Sequence, residues 1–449
     1  MFGFDTQGDR IKVCLVNPGF GRLDGYKKLF LPPPLNLAYI ASSLKGLADV
    51  EIMDCYAKEM GIEQCLKKIC ESKPDIIGII PNNYCDFVMG DLEKWIRLFS
   101  AKMKSIGLDA ATVAGGPFAS TFPERALRYA DFVIRGDQEI VFRNLIENLG
   151  DEKELKNTTG LCSRLNNKTH INKPYFTNNL DSISFPSREL LETKIYGHIL
   201  IDKPMTTFLT TRGCPYNCVY CSRRVYGPYR ERSVENVMEE LREVVNMQKN
   251  KNIVFYDDNF TINRKRAARI CDLIVKEGID IKWICATRVD LVDKNLLEKM
   301  KRAGCSVIAY GVESGDQKVL DKIKKNIKID KTKKAFELTR KAGIKILSYV
   351  IIGSPGETKE SVEKTFRLIK RLEPDYVQFN PITIYPGSEI YGKGPKEICM
   401  FTQDELIKIQ REVYKRYYLR GNYILDQFKK IRSFGDIKRG FHALRFITS

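Results

Sequence analysis

The stretch TTFLTTRGCPYNCVYC, residues 206–221, joins a short run of strand-forming residues to three closely spaced cysteines. Its first six residues, TTFLTT, indicate a β-strand, because Thr and Phe favour the pleated surface of a sheet. Cys214, Cys218 and Cys221 then follow within eight residues, just beyond the predicted carboxyl end of that strand. The stretch therefore predicts a sheet-based fold with metal or redox chemistry at a strand end.

The same pattern of strand, polar strand end and crossover recurs as far as residue 382. Strands alternating with crossovers of this length predict six βα units, which make a partial form of the eight-unit barrel. In such a barrel the carboxyl ends of the strands meet on one face, and active sites are built there. The predicted strands after 206–211 are 252–257, 281–287, 306–312, 346–352 and 376–382.

Residues 1–150 show an earlier alternation of strands and amphipathic stretches, which predicts a flavodoxin-like, doubly wound parallel sheet. Residues 151–200 are polar and predict a linker with a small hairpin at 160–172. The barrel is predicted over 201–395, and a basic helical region over 396–449. The predicted strands of the first domain are 11–16, 49–54, 75–80, 111–116 and 131–136.

The composition of the 449-residue chain, with 43% hydrophobic and 29% charged residues, is typical of a soluble protein of several domains. No apolar run approaches the ~20 residues of a spanning helix, and residues 1–10 lack a signal-peptide pattern, so a cytoplasmic location is expected. Apart from the cluster at 214–221, the 13 cysteines are scattered singly. In a reducing compartment such a cluster indicates metal or redox chemistry rather than disulfides.

The cysteine spacing allows three interpretations. A structural zinc site needs four protein ligands, but no second Cys-x-x-Cys pair is present, and His170, His198 and His442 are remote in sequence. A thioredoxin-like redox pair leaves the third cysteine unexplained. An iron–sulfur cluster held by three thiolates fits better, because its fourth iron stays open for a ligand.

The C-x3-C-x2-C spacing, with Tyr220 just before the last cysteine, resembles the signature of the radical SAM superfamily. The resemblance implies that the three cysteines hold a [4Fe–4S] cluster whose fourth iron binds the amino and carboxylate groups of S-adenosylmethionine (SAM). It also implies an external one-electron reductant and a deoxyadenosyl radical that abstracts hydrogen from a substrate.

Residues at the other strand ends extend this resemblance. They stand where the family contacts the amino, carboxylate, ribose and adenine groups of SAM, although the usual Gly-Gly-Glu is absent after the second strand. From the residues alone, the two aspartates have an alternative role as helix N-caps, and the glycines of GSPGET (353–358) a role in a turn. The implied SAM contacts are Asp257, Asp258, Asn259, Arg288, Glu313, Ser314 and Gly353.

A flavodoxin-like domain ahead of such a barrel resembles the cobalamin-binding class of the superfamily. The resemblance rests on VNPGF (16–20), LPPPLNLAYIASSL (31–44), AGGPFAS (114–120) and IRGDQE (134–139). The chain lacks Asp-x-His-x-x-Gly and has no histidine before His170, so a base-off cobalamin without histidine ligation is implied. The alternative for GDQE is a turn before a helix with an acidic first turn. The implied cobalamin contacts are Asn17, Pro18, Gly115, Gly116, Gly136 and Glu139.

The resemblance implies C-methylation of an unactivated carbon, using methylcobalamin and the deoxyadenosyl radical. The alternative is a non-methylating radical SAM cyclase, C–C coupling or rearrangement enzyme acting on a lipid or tetrapyrrole-like substrate. Either reaction implies a small-molecule or lipid-like substrate.

The basic C-terminal region, residues 407–449, carries 11 Lys and Arg against 3 Asp and Glu, within a formal net charge of +18 for the whole chain. Its interleaved aromatic residues have three interpretations: a helical cap on the barrel, contact with a membrane surface or lipid, and nucleic-acid binding. Nucleic acid is disfavoured because no RNA-binding module accompanies it.

Overall fold

The computed structural model describes residues 10–19, 30–82, 89–165, 168–246 and 250–430. These residues form two compact units. Of the described residues, the first unit takes in 31–196 and 223–232 together with the N-terminal strand, and the second takes in residue 30, residues 197–222 and residues 233–430.

The first unit is built on a seven-stranded sheet of order β2-β1-β3-β4-β5-β6-β7. Its first five strands are parallel, with Leu15 of β1 paired to Ile52 on one side and Gly78 on the other. This order confirms the doubly wound, flavodoxin-like prediction. The strands are β1 Ile11–Asn17, β2 Ala48–Asp54, β3 Ile76–Ile79, β4 Ala111–Ala114, β5 Phe132–Ile134, β6 Leu161–Leu165 and β7 Lys168–His170.

Helices cover both faces of this sheet, so its central strands are apolar along their length rather than alternating. Cys14 and Val16 of β1 pack into a core on one face, while Val13 and Leu15 pack into the core on the other. The helices are α1 Leu35–Ser43, α2 Ile62–Ser72, α3 Met89–Ser105, α4 Gly116–Thr121, α5 Pro123–Ala126, α6 Gln138–Glu147 and α7 Glu152–Asn157.

The segment predicted as a linker, residues 151–200, contains α7 and the antiparallel hairpin β6–β7. The hairpin lies within the predicted range 160–172, and β6 extends the sheet by pairing antiparallel with β5. The rest of the segment carries two 3₁₀ turns, Leu180–Ser182 and Arg188–Leu190. Because Leu161 and Cys162 are fully buried, this stretch belongs to the core of the first unit.

The second unit is a six-stranded parallel sheet whose strands lie in sequence order, as the βα pattern predicts. Helices connect successive strands and bury one face of the sheet in a single large core around Trp283 and Phe336. The strands are β8 Thr206–Phe208, β9 Asn252–Phe255, β10 Lys282–Thr287, β11 Cys305–Glu313, β12 Lys345–Ile352 and β13 Tyr376–Pro381. The helices are α8 Val234–Asn246, α9 Arg264–Lys276, α10 Lys294–Arg302, α11 Gln317–Lys322, α12 Ile329–Lys341, α13 Lys359–Leu372, α14 Pro395–Ile398, α15 Gln403–Tyr418 and α16 Gly421–Lys430.

Short elements complete the described parts of the two units. They are the two-residue strands Phe30–Leu31, Gly197–His198, Thr211–Arg212 and Arg230–Glu231, and the 3₁₀ turns Arg223–Tyr226 and Val289–Leu291. None of the described helices is long and apolar enough to cross a membrane.

Helix α15 covers the edge strand β13. The hydroxyl of Tyr418 accepts from Val377 N and donates to Val377 O, both at 2.7 Å, and the hydroxyl of Tyr414 accepts from Phe379 N at 3.1 Å. Side chains thereby satisfy backbone groups that an edge strand would otherwise expose. The part of the C-terminal region in α15 is thus a helical cap, while residues 431–449 lie outside the described residues.

Candidate functional site

Polar residues follow the carboxyl ends of the barrel strands, next to the face of the sheet that the helices leave uncovered. Alternate residues of each strand, such as Cys285 of β10 and Tyr310 of β11, enter the helix-side core. The intervening positions carry small residues near the carboxyl ends, namely Ala286, Ala309 and Gly311. Side chains of this size leave room over the sheet where the strand ends converge, which is where barrel sites are built.

The loop that carries the three cysteines is held by Val219, the residue directly after Cys218. Its amide donates to Ile323 O at 3.1 Å, and its carbonyl accepts from Ile390 N at 3.3 Å. Its side chain is 4% exposed and packs against Leu320, Ile323 and Ile390. The loop is therefore fixed at its centre, while the cysteine side chains on either side remain partly exposed.

The three cysteines lie in one loop, and each residue is partly exposed. Asn259, after β9, donates from Nδ2 to Cys214 Sγ at 3.5 Å, and Cys221 N donates to Cys218 O at 3.1 Å within the loop. Among the described residues, no three His, Cys, Asp or Glu side chains are grouped so as to hold a metal ion. Thiolates are the ligands that iron–sulfur clusters use, and amide donors to their sulfurs tune the cluster.

A buried ion pair lies behind this loop at the end of β11. Lys325 Nζ donates to Glu313 Oε1 at 2.7 Å, and both side chains are less than 10% exposed. The same oxygen accepts from the hydroxyl of Tyr220, in the cysteine loop, at 3.0 Å. Burial and then the nearby Glu313 carboxylate raise the pKa of Tyr220, so it stays a donor. Burial alone would lower the pKa of Lys325, but the nearby Glu313 carboxylate contributes to raising this pKa above its ordinary value.

The backbone is shaped to seat this pair. Glu313 has φ 61°, a left-handed conformation that is uncommon outside glycine, at a register shift between β11 and β12. A Cβ at Gly311 would lie 2.4 Å from Glu313 Oε1 and 2.8 Å from Lys325 Nζ. A larger residue at this position would therefore displace the Glu313 carboxylate and the Lys325 ammonium group from their present positions.

Arg288, just after β10, connects the cysteine loop to this pair. Its guanidinium lies 3.7 Å from the ring centroid of Tyr216, and it donates to Asp290 at 2.9 and 3.0 Å and to Lys325 O at 2.9 Å. Its Nη1 is buried with no hydrogen-bond partner among the residues that the structure describes. A buried guanidinium nitrogen that is available to donate a hydrogen bond is suited to an anionic ligand such as a carboxylate.

The two aspartates after β9 differ in their surroundings. Asp257 is 2% exposed and accepts from Thr210 N, Thr210 Oγ1 and Thr211 N at 2.6–2.7 Å. Its Oδ1 thus accepts from two backbone amides that lead into the cysteine loop, and its Oδ2 accepts from the Thr210 hydroxyl. Asp258, the next residue along the strand direction, is partly exposed.

The remaining predicted barrel residues serve turns. Ser314 Oγ accepts from Asp316 N at 3.2 Å and lies 3.2 Å from the hydroxyl of Thr365. Gly353 has φ 89°, and its amide donates to Glu357 Oε2 at 2.5 Å. Burial raises the pKa of Glu357 to about 7. The GSPGET loop is thus closed by its own buried carboxyl group.

At the carboxyl edge of the first sheet, Asn17 is satisfied internally. Its Nδ2 donates to Asp54 Oδ1 at 2.8 Å, and its Oδ1 accepts from Asn82 N at 2.9 Å. Asp54 also accepts from the Tyr196 hydroxyl at 3.0 Å, and burial raises the pKa of Asp54. By contrast Asn36, at the start of α1, donates to Pro81 O at 3.0 Å and leaves Oδ1 buried without a partner in the described chain.

The other residues predicted for cobalamin lie near the same strand ends. Gly115 and Gly116 follow β4, and a Cβ on Gly116 would lie 2.9 Å from Pro81 Cγ. Gly136 has φ 93°, and a Cβ there would lie 1.9 Å from Tyr175 O. Pro18 and Glu139 are buried, Glu139 in the first turn of α6.

Sequence reasoning missed three contributors to the barrel site: Val219, Lys325 and the hydroxyl of Tyr220. Lys325 stands in the run KIKKNIK, where nothing distinguishes it from its exposed neighbours. The one available signal was the pairing of Gly311 with Glu313, because a glycine two residues before a strand-end carboxylate marks a close approach.

Two family models match the chain in the predicted order. The B12 binding domain matches residues 28–146, and the radical SAM superfamily matches residues 208–369. The second match spans the cysteine loop and strand ends β8 to β12.

The chain is 32% identical over 437 residues to an uncharacterised methyltransferase of Pyrococcus horikoshii, covering 92% of this chain and 93% of that protein. It is 27% identical over 428 residues to the anaerobic magnesium-protoporphyrin IX monomethyl ester cyclase of Rubrivivax gelatinosus, covering 89% and 76%. The radical SAM methyltransferase TsrM of Kitasatospora setae, solved with cobalamin and a [4Fe–4S] cluster, has the same fold. The TM-score is 0.70 at 18% identity, over 85% of this chain and 77% of that one. The chain therefore belongs to the cobalamin-binding radical SAM superfamily, and it is an enzyme whose cofactors are a [4Fe–4S] cluster, SAM and cobalamin.

Proposed function

We propose that this enzyme is a C-methyltransferase that adds a methyl group to an unactivated carbon of a small molecule. The observation that carries the proposal is the similarity along nearly the whole chain to a protein named as a methyltransferase. When bound, the cluster with SAM supplies the radical that activates the carbon, and cobalamin supplies the methyl group. The chain's own residues bind and orient these groups.

In this proposal Cys214, Cys218 and Cys221 are the three cluster ligands. Partial exposure of all three thiols leaves them accessible to iron, while Val219 holds the loop from below. The amide of Asn259 lies against Cys214 and would donate to a ligated sulfur. Both features support a cluster whose fourth iron remains free for SAM.

SAM would be oriented by the charged strand ends. Arg288 Nη1, which has no partner among the described residues, would donate to the SAM carboxylate, and Glu313, paired with Lys325, would accept from ribose hydroxyls. For the amino group, Asp258 is the better candidate of the two aspartates, because the oxygens of Asp257 already bind Thr210 and Thr211. Ser314 and Gly353 would shape the walls through the turns they hold.

For cobalamin, the carboxyl edge of the first sheet supports one contact above the rest. The Oδ1 of Asn36, buried without a partner in the part of the chain that the structure describes, would accept from an amide side chain of the corrin ring. Gly115, Gly116, Gly136, Pro18 and Glu139 would form the backbone surface around it. Asn17 would act by holding this edge together.

The alternative is a non-methylating reaction, which the similarity to the cyclase of Rubrivivax gelatinosus favours. Methyl-labelled SAM distinguishes the two, given to anaerobically reconstituted enzyme with a reductant, hydroxocobalamin and a panel of trial substrates. The panel contains tryptophan, magnesium-protoporphyrin IX monomethyl ester and a polycyclic lipid. Labelled product, with labelled methylcobalamin before substrate is added, supports methylation. Formation of deoxyadenosine together with a substrate that is altered but carries no label would instead support the non-methylating alternative.

A further inference from the structure

The chain leaving the cysteine loop folds with the first unit. Residues 223–232 begin two residues after Cys221 and are flanked on both sides by barrel sequence, yet they group with the first unit. Within that unit the turn Arg223–Tyr226 contacts α4. A ten-residue excursion of this kind needs a specific attachment, because ordering a loop costs conformational entropy.

Arg230 provides the central attachment of this segment. Its guanidinium donates from Nη1 to Asp137 Oδ2 at 2.5 Å and from Nη2 to Asp137 Oδ1 at 3.3 Å. It also donates to Thr177 O at 2.8 Å and to Tyr226 O at 3.2 Å. The side chains of Arg230 and Asp137 are 6% and 4% exposed. One side chain thus binds the first unit and the segment's own turn together.

Asp137 is committed to this contact rather than to its helix. It occupies the N-cap position of α6, where aspartate normally accepts from the first helical amides, but its side chain makes no such capping bond. Its Oδ2 accepts instead from Thr177 N at 2.7 Å, beside Arg230. The carboxylate therefore gives up a common stabilising role to join the segment 175–177 to Arg230.

Two further contacts flank the pair. Gly227 has φ 80°, and a Cβ there would lie 2.6 Å from the ring of Phe176. Arg232, 6% exposed, lies over the ring of Phe185 with 5.4 Å between its Cζ and the ring centroid. Contacts at 227, 230 and 232 hold the segment over its second half.

We propose that Asp137 and Arg230 are positioning residues for the iron–sulfur cluster. They attach residues 223–232, which follow the three cysteines in sequence, to the cobalamin-binding unit. The cysteine loop therefore retains its cluster only while this attachment is intact. Buried ion pairs add little net stability compared with apolar pairs of similar size, which leaves orientation of the segment as the gain. The inference rests on the proposed cluster ligands.

The test is the rate at which a ferrous chelator removes iron from the anaerobically reconstituted full chain. Arg230→Ala should lose iron roughly tenfold faster than the wild type, as expected when an outer support of a metal site is removed. Arg230→Lys should fall between the two, since Lys keeps the charge but not the bidentate geometry. Arg242→Ala, which breaks the more exposed pair with Glu277, is the matched control and should lose iron at the wild-type rate.

A double variant separates positioning from stability. Asp137→Leu with Arg230→Met replaces the pair by apolar side chains and should unfold near the wild-type temperature. It should nevertheless lose iron as fast as Arg230→Ala, and chymotrypsin should cleave the cluster-free protein faster at Tyr226 and Tyr229. Wild-type iron retention and cleavage in this folded variant would overturn the inference. If the wild-type chain took up no iron, the proposed cluster ligands would be refuted instead. The cleavage rates at Tyr226 and Tyr229 would still test whether Asp137 and Arg230 anchor the segment.

Discussion

Two buried carboxyl groups at strand ends, Asp54 in the first unit and Glu313 in the barrel, are held in different ways. Asp54 accepts from Asn17, Tyr196 and a backbone amide, which are all neutral donors, and burial raises its pKa. Glu313 faces the ammonium group of Lys325. Neutral donors around Asp54 close the edge of the first sheet, whereas the ammonium group of Lys325 faces Glu313 at the strand end where SAM binding is proposed. The charged pair at the barrel edge is therefore suited to binding a ligand, whereas the hydrogen bonds of Asn17 maintain the shape of the edge of the first sheet.

The largest expected effect comes from removing one of the proposed cluster ligands. Cys218→Ala should abolish the [4Fe–4S] signal in reconstituted protein, since only two of the three proposed thiolate ligands would remain. The first unit should still bind hydroxocobalamin, as measured by its visible absorption. Cys271→Ala, a buried core thiol, is the control and should keep full iron content. Full iron content in Cys218→Ala would contradict the ligand assignment.

Breaking the buried charge pair should have the next largest effect. Lys325→Met leaves Glu313 buried without its cation and should lower the free energy of unfolding by about 3–5 kcal/mol. Lys324→Met breaks the exposed pair with Glu389 and should cost at most about 1 kcal/mol. Chemical denaturation of both variants measures the difference. Equal costs would show that the barrel edge does not depend on its internal charge.

A third buried carboxyl group, Glu357, combines features of the other two, because it lies in the barrel but accepts from the backbone amides of Gly353 and Ser354. Its pKa of about 7 in the folded protein exceeds the ordinary value of about 4.3. The folded protein thus binds this proton more tightly than the unfolded chain does. Its contribution to stability is full below pH ~4.3 and is lost as the pH rises to about 7, at about 1.4 kcal/mol per pH unit.

Glu357→Gln removes the titrating group and keeps an acceptor for Gly353 N. Denaturation of wild type and variant at pH 5 and pH 8 should show the wild type losing more stability over this interval, by roughly 2–3 kcal/mol. Parallel pH profiles would mean that Glu357 titrates normally.

The smallest expected effect lies in the first unit. Asn17→Ala removes two buried hydrogen bonds and should destabilise the fold by about 1–3 kcal/mol, with unchanged affinity for hydroxocobalamin. Asn36→Ala is the matched comparison: it loses one part-buried hydrogen bond to Pro81 O, which should cost about 1 kcal/mol. It also removes Oδ1, which has no partner among the described residues, so this variant should bind the cofactor more weakly. The reverse pattern in a spectroscopic titration would restore Asn17 as a direct contact.

Strand periodicity and cysteine spacing predict the two sheets and the location of the cysteine loop at a strand end. Local patterns suffice there, because each parallel strand is a short apolar run ended by polar residues. They do not reveal that Asp257 is occupied by Thr210, or that Lys325 reaches Glu313. Those partners are set by which loops the topology brings together. The sequence predicts the hairpin at 160–172 but not that β6 extends the first sheet, because the pairing of β6 with β5 joins residues that are far apart in sequence.

The close approach of Gly311 to the ion pair above it predicts which residues should change together in related sequences. A side chain at that position would overlap both Glu313 and Lys325, so the three residues are constrained to change together. In relatives that replace the glycine, the lysine 14 positions further on should be lost as well. Covariation between two positions that are far apart in sequence would then distinguish members that keep a charged strand end from members that have rebuilt it.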